Sequence, residues 1–391
     1  MPQERYVIIG NSAAGLNAAE AIREIDGEGE ITLISAEDTL AYSRVATPYF
    51  ISGEIGDRTL FFKDAQFYRD LNITPLLGKR VTAVEPAQNR VVLNDGTGIP
   101  YTKLLIGTGS THQIPPIQGV DRVEFFPHWT LEEARRIKEK AAAVREVVVL
   151  GGGFISMLTI NAMHKCNREI RFTVVELMDQ VMPRLLDRQA AQMLEEQMRQ
   201  QGIEVRTGAE AVELAELPGG RKRVTLKDGS LLEADMIVMA TGVRPNIDFL
   251  QGSGIAVQRG VLVDQQMRTS VENIFAAGDC AECADFLHRE RTVVHAIWPT
   301  AVEQGKVAGA NMAGKRLEYP GSLSMNVLDA FGMTFTSIGL FQEEAGVEML
   351  SFTDPERRIY RKLALKDGRR IVGLIAAGGA EEVRYMGAVQ S

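Results

Sequence analysis

Two glycine-bearing turns and one pair of cysteines are the stretches of this 391-residue chain whose residue types and spacing could do chemistry. In the first turn Gly10, Ser12 and Gly15 stand at the positions of a G-x-G-x-x-G pattern, with serine second. In the other turn Gly151 and Gly153 match, and Ser156 takes the last place. That spacing serves a pyrophosphate: a tight turn, close approach of backbone N–H groups, and a helix N-terminus whose dipole favours the anion. The strand after the second turn ends FTVVE, which puts Glu176 where a carboxylate accepts hydrogen bonds from a ribose diol and repels a 2′-phosphate. NADH is therefore expected over NADPH. After the first turn the equivalent place holds Ser35, and Glu37 two residues on is the candidate for the ribose hydroxyls. Cys280 and Cys283 form a C-x-x-C, which invites a dithiol reading.

The elements that must position these residues repeat. YVIIGNSAAGLNAAEAI followed by EITLIS reads as strand, turn, helix, strand, and EVVVLGGGFISMLTINAM followed by IRFTVVE has the same order. Each reads as the opening βαβ of a doubly wound domain, so the fold class expected is α/β with two dinucleotide-binding domains. HQIPPIQG at 112–119 and TGVRPN at 241–246 are linker candidates. After about residue 320 the pattern shifts to short strands. There LALKDGRRIVGLIAAGG predicts a hairpin about its Asp-Gly, and a small α+β C-terminal domain is expected.

Composition narrows the class. Hydrophobic residues make up 45% and charged residues 24%, an ordinary globular profile. A formal net charge of −8 argues against nucleic acid and anionic membranes as partners. No apolar run reaches the ~18 residues of a membrane span, and no basic-then-apolar leader opens the sequence, so a cytoplasmic location is the expectation. Three cysteines are too few for a disulfide framework, and no metal site is expected.

Three further stretches carry a resemblance. LLIGTGS at 104–110 and MATGVRPN at 239–246 are similar to the two ATG-type domain crossings of the FAD-dependent pyridine nucleotide-disulfide oxidoreductase superfamily, and IFAAGDCAE at 274–282 to its ribityl-binding motif. With WPTAVEQGKVAGANMAG at 298–314, the chain resembles the branch of NADH:rubredoxin reductases and nitrite reductase flavin domains. The resemblance implies an FAD domain in two parts, 1–112 and 243–318, an NADH domain at 113–242 and a C-terminal interface domain at 319–391. It places Gly10, Ser12, Gly15 and Asp279 on FAD, with Arg44 nearby and Thr108 and Gly109 at the crossing, and Gly151, Gly153 and Glu176 on NADH. The helix beginning near Pro299 and Thr300 would point at the pyrimidine edge of the flavin, and Thr300 with Glu303 fits a capping box.

What the resemblance implies for activity is flavin-centred: hydride passes between NADH and FAD, electrons pass to or from an iron–sulfur protein of rubredoxin or ferredoxin type, and no side chain is a catalytic nucleophile. Relatives that reduce coenzyme A disulfide or peroxide carry a redox cysteine three residues before a Pro-Tyr pair. Here AYSRVATPYF puts Val45 there, and Leu158 stands where many relatives have a glutamate near the flavin. Two alternatives remain open: an FAD/NAD(H) subunit of a larger multisubunit oxidoreductase that reduces NAD, and a thiol or disulfide reductase using Cys280 and Cys283. His295 could be a proton donor or a structural histidine. RRIYRKLALKDGRR at 357–370 is a candidate docking face for an acidic electron carrier or a solvated hairpin.

Overall fold

The computed structural model describes residues 3–379. The chain divides into two compact units: Met1–Val45, Arg58–Thr111 and Arg244–Leu323 form the first, and Ala46–Asp57, His112–Val243 and Ser324–Ser391 the second.

In the first unit five parallel strands lie in the order Ile274–Ala276, Lys103–Ile106, Arg5–Ile9, Glu30–Ile34, Ile73–Leu76. The apolar run YVII of the strand Arg5–Ile9 is buried on both faces, as a central parallel strand requires. Strand order reverses between Arg5–Ile9 and Lys103–Ile106, and a doubly wound sheet opens its ligand crevice at such a point. The helix Ala13–Ile25 buries an alanine-rich face, and Gly305 and Gly309 let the helix Trp298–Met312 press onto it. A Cβ on either glycine would sit 2.3 Å from the carbonyl oxygen of Ala14 or Ala18.

The second unit repeats the plan. Its parallel strands run Glu204–Arg206, Arg171–Val175, Glu146–Leu150, Met236–Met239, Phe126–Pro127. Both units also insert a three-stranded antiparallel meander before the strand that follows the switch, Val81–Glu85 to Gly98–Pro100 in one and Ala211–Glu216 to Leu231–Ala234 in the other.

The C-terminal portion is a five-stranded antiparallel sheet, ordered Met325–Ala330, Met333–Gly339, Arg370–Gly378, Ile359–Lys366, Val347–Asp354. Asp367 and Gly368, with φ of 56° and 63°, make the expected hairpin turn between Ile359–Lys366 and Arg370–Gly378. This portion was expected to be α+β; from Ser324 onward the described residues form antiparallel sheet and no helix. Asp187 ties this sheet to the helix Arg188–Gln200. It caps that helix through Ala190 N–H and also accepts from Tyr360 Oη at 2.7 Å and Lys362 Nζ at 3.0 Å.

The segment 46–57, which contains the Pro48-Tyr49 pair, counts with the second unit. Its short helix Thr47–Ser52 is held by a histidine that the sequence reading did not single out. His128 is buried, with Nε2 3.0 Å from Thr47 Oγ1 and Nδ1 2.7 Å from Thr159 Oγ1. Thr159 donates its hydroxyl proton to Ile155 O, so it accepts from His128 Nδ1–H. Lys138 lies over the Phe50 ring and Lys165 pairs with Glu54, fastening the rest of the segment.

Burial lowers the His128 pKa to about 4, so the unfolded chain binds a proton there between roughly pH 6.5 and 4 that the folded chain does not. Stability from this residue is complete above pH 6.5 and is lost as pH falls to 4, by up to about 3 kcal/mol. Urea unfolding followed through that pH range should show a shallower dependence in His128→Gln than in the parent chain. Equal slopes would show that His128 is not held neutral.

Candidate active site

The first turn sits at the switch point of its sheet. Gly10 ends the strand Arg5–Ile9 with φ of 125°, and a Cβ there would lie 2.0 Å from the carbonyl oxygen of Gly107 on the neighbouring strand's exit. Gly15 lies in the first turn of the following helix, where a Cβ would come within 1.9 Å of Gly10 O. Only glycine fits either place. Ser12 is the N-cap, yet its hydroxyl makes no capping hydrogen bond. The turn therefore leaves backbone N–H groups at the helix start without side-chain caps, which is the cradle a pyrophosphate needs.

The second turn copies this geometry. Gly151 has φ of 100°, and a Cβ would stand 2.4 Å from Ala240 O. Gly153 is the N-cap of the helix Phe154–Cys166, with no side-chain cap. Ser156, in the place of the last glycine, is fully buried and reaches Ala240 O through its hydroxyl at 3.4 Å. Glu176 is buried at the strand end, where its carboxylate accepts from Gly152 N–H at 2.5 Å and Met178 N–H at 2.8 Å. These bonds fix the carboxylate beside the turn.

The remaining candidates of the first unit fall into three groups. Arg44 and Glu37 form an ion pair with each other, Tyr42 Oη donates to Glu37 at 2.8 Å, and the Arg44 guanidinium lies over the Tyr42 ring. Thr108 and Gly109 hold the crossing: Thr108 Oγ1 donates to Asn246 O at 2.7 Å, and Asn246 N–H reaches Gly109 O at 2.9 Å. The Thr108 hydroxyl is thus engaged with the returning chain. Asp279 accepts from Ser110 Oγ at 2.7 Å. Burial pushes its carboxyl above the ordinary range, while Ser110 and the Arg44 charge pull it down. Ser110 closes the stretch LLIGTGS, but nothing in one sequence marks its partner.

The capping box expected at Thr300 does not form. The helix begins at Trp298, with Ile297 in the N-cap place and no side-chain cap, and Thr300 is buried in the first turn. Pro299, whose fixed φ suits a first turn, follows Trp298 and leaves the threonine inside that turn. The start of this helix is again uncapped by side chains. His295 bonds Ser322 through Nδ1 at 2.8 Å, and burial lowers its pKa. In the basic strip, Lys362 is committed to Asp187 and Arg361 to the carbonyls of Tyr360 and Ala377.

Neither cysteine of the C-x-x-C is placed to react. Cys280 is 0% exposed and donates to Ile106 O and Ala277 O. Cys283 is 3% exposed and accepts from Gln304 Nε2 at 3.3 Å. Burial raises both thiols, Cys283 to about 11, so its thiolate fraction at pH 7 is on the order of one in ten thousand. Both are free thiols.

Residues 4–305 match the family described as pyridine nucleotide-disulphide oxidoreductase, and residues 325–389 match the rubredoxin NAD+ reductase C-terminal domain. The chain belongs to this family. It is an FAD-dependent NADH:acceptor oxidoreductase, and its cofactors are FAD and NAD(H). It is 34% identical to the epsilon subunit of the NADH-dependent phenylglyoxylate dehydrogenase of Aromatoleum evansii, over 96% of this chain and 86% of that one. It is 30% identical to the ferredoxin–NAD(+) reductase component of the anthranilate 1,2-dioxygenase system of Burkholderia cepacia, over 98% and 93%. Among solved structures, a NAD-dependent persulfide reductase from A. fulgidus superposes with a TM-score of 0.90 at 28% identity, covering 98% of this chain and 76% of that one. Among the described residues no helix is long and apolar enough to cross a membrane, and no group of three or more His, Cys, Asp or Glu could hold a metal ion.

The buried C-x-x-C makes a direct prediction. A thiol reagent such as dithionitrobenzoate should titrate one cysteine per native chain, the exposed Cys166, and three in denaturant. Reaction of three thiols in the native chain would contradict the burial of Cys280 and Cys283.

Proposed function

We propose that this chain passes electrons between NADH and an iron–sulfur protein of rubredoxin or ferredoxin type, with the flavin as its one redox centre. The observation that carries the proposal is the state of the thiols: Val45 stands at the family's redox-cysteine place, and both cysteines of the C-x-x-C are buried. An acceptor that needs a thiolate on the enzyme is then disfavoured. The ferredoxin–NAD(+) reductase relative and the rubredoxin reductase C-terminal match support the iron–sulfur acceptor.

In this reading the first unit holds FAD and the second NADH. Backbone N–H groups after Gly10 and Ser12 receive the FAD pyrophosphate, and Gly15 lets the helix start close to the strand. The Glu37–Arg44 pair stands at the adenosine side and Asp279, steadied by Ser110, takes the ribityl hydroxyls. The helix with Thr300 in its first turn directs its positive end at the flavin ring, favouring negative charge on reduction. In the second unit Gly151 and Gly153 receive the NADH pyrophosphate, and Glu176 accepts from the ribose diol. When bound, FAD supplies acceptance of a hydride and release of single electrons; the chain supplies binding, orientation and a fixed field.

A second reading reverses the flow: the chain is the FAD/NAD(H) subunit of a multisubunit oxidoreductase that reduces NAD. It is favoured by the similarity to a phenylglyoxylate dehydrogenase subunit. The residues bind the same cofactors either way, because direction is set by potentials.

Anaerobic stopped-flow mixing of the FAD-loaded chain with NADH and with NADPH, followed by oxidised rubredoxin, ferredoxin or coenzyme A disulfide, tests the proposal. NADH should bleach the flavin at least about tenfold faster than NADPH at equal concentration, given the carboxylate at Glu176. Reoxidation should be fast with the iron–sulfur proteins. Reoxidation by the disulfide alone would overturn it.

A further inference from the structure

The helix Phe154–Cys166 begins at the nucleotide-binding turn and ends, about 20 Å away, at a second feature. Asn161, His164, Lys165 and Arg168, with Gln201, Phe331 and Gly332, line a cavity of about 270 Å³ within the second unit. In a chain of net charge −8 it has two cationic side chains and a histidine in its wall and no carboxylate. His164 is 8% exposed, stacks on Phe172 and lines the cavity. The imidazole thus offers a ring nitrogen to a ligand within a largely polar wall.

The rim is also strained. Phe331 has φ of 55°, a left-handed backbone that a bulky aromatic residue rarely adopts. It closes the hairpin between Met325–Ala330 and Met333–Gly339, and Asn161 Oδ1 accepts from its N–H at 3.3 Å. Lys165 is shared with Glu54, 2.8 Å away, which leaves Arg168 as the principal cation of the wall. Helix C-termini attract basic side chains by their dipole alone, but that attraction calls for neither a cavity nor a buried histidine.

We propose that this cavity is a binding site for a small dianion of the phosphate-monoester class, held by the Arg168 guanidinium and by the His164 ring, with the Asn161 and Gln201 amides beside it. A guanidinium matches two oxygens of such a group. Burial and the Arg168 charge lower the His164 pKa; a dianion between them would raise it. The site is separate from the two glycine turns, and the proposal does not depend on which acceptor the flavin serves.

The test uses the full chain loaded with FAD and saturating NAD+, so that both nucleotide turns are filled, and inorganic phosphate as the probe. Ring resonances of the five histidines are followed by NMR, with His164→Gln assigning that residue and chloride at matched ionic strength as control. Phosphate should shift the His164 ring saturably, and Arg168→Gln, a change at an exposed residue, should weaken the dissociation constant by about tenfold. The proposal falls if the shift merely follows ionic strength, or if it is saturable and Arg168→Gln leaves its constant unchanged.

Discussion

The structure depends on one backbone constraint used twice. At the switch point of each parallel sheet, the residue ending the first strand lies so close to the carbonyl leaving the neighbouring strand that no side chain fits. Gly10 meets Gly107 O in one unit, and Gly151 meets Ala240 O in the other. Both need positive φ, at 125° and 100°. Once the turn is that tight, the following helix starts beside the strand ends and turns its first N–H groups to the crevice. The two proposed pyrophosphate sites are arranged around those two helix starts.

The second instance shows which parts of the pattern are negotiable. Gly15 in the first unit packs against Gly10 O, where a Cβ would stand at 1.9 Å. The second unit has Ser156 at the equivalent place, with its hydroxyl on Ala240 O. Likewise Ser12 replaces a glycine at the N-cap of its helix, where a small side chain in an extended conformation has room. The first glycine of each turn has no such freedom.

How far the sequence told this in advance differs by kind of residue. The two βαβ units, the Asp-Gly hairpin and Glu176 at its strand end were legible, because strand periodicity, turn chemistry and the glycine spacing are local signals. Partnerships across long stretches were not. Ser110 on Asp279, Asn246 on Thr108 and His128 between Thr47 and Thr159 join residues 31 to 169 positions apart, and no single sequence reveals them. The capping box failed for a local reason: the helix starts at Trp298, with Pro299 in its first turn, so Thr300 is already inside it. The basic strip was visible as charge, but its commitments to Asp187 and to backbone carbonyls were not.

The C-x-x-C shows why spacing alone does not assign chemistry. Cys280 and Cys283 flank the start of a buried strand, Ala281–Ala284, with Glu282 between them turned into its own bonds to Arg259, Gly260 and Thr292. Their thiols complete packing and remain protonated, so the flavin is the one redox centre of the account. An anaerobic reductive titration of the FAD-loaded chain, counting electrons per flavin with dithionite, tests that claim most directly. The account predicts two electrons per chain at full reduction; uptake of four would show a working dithiol and contradict it.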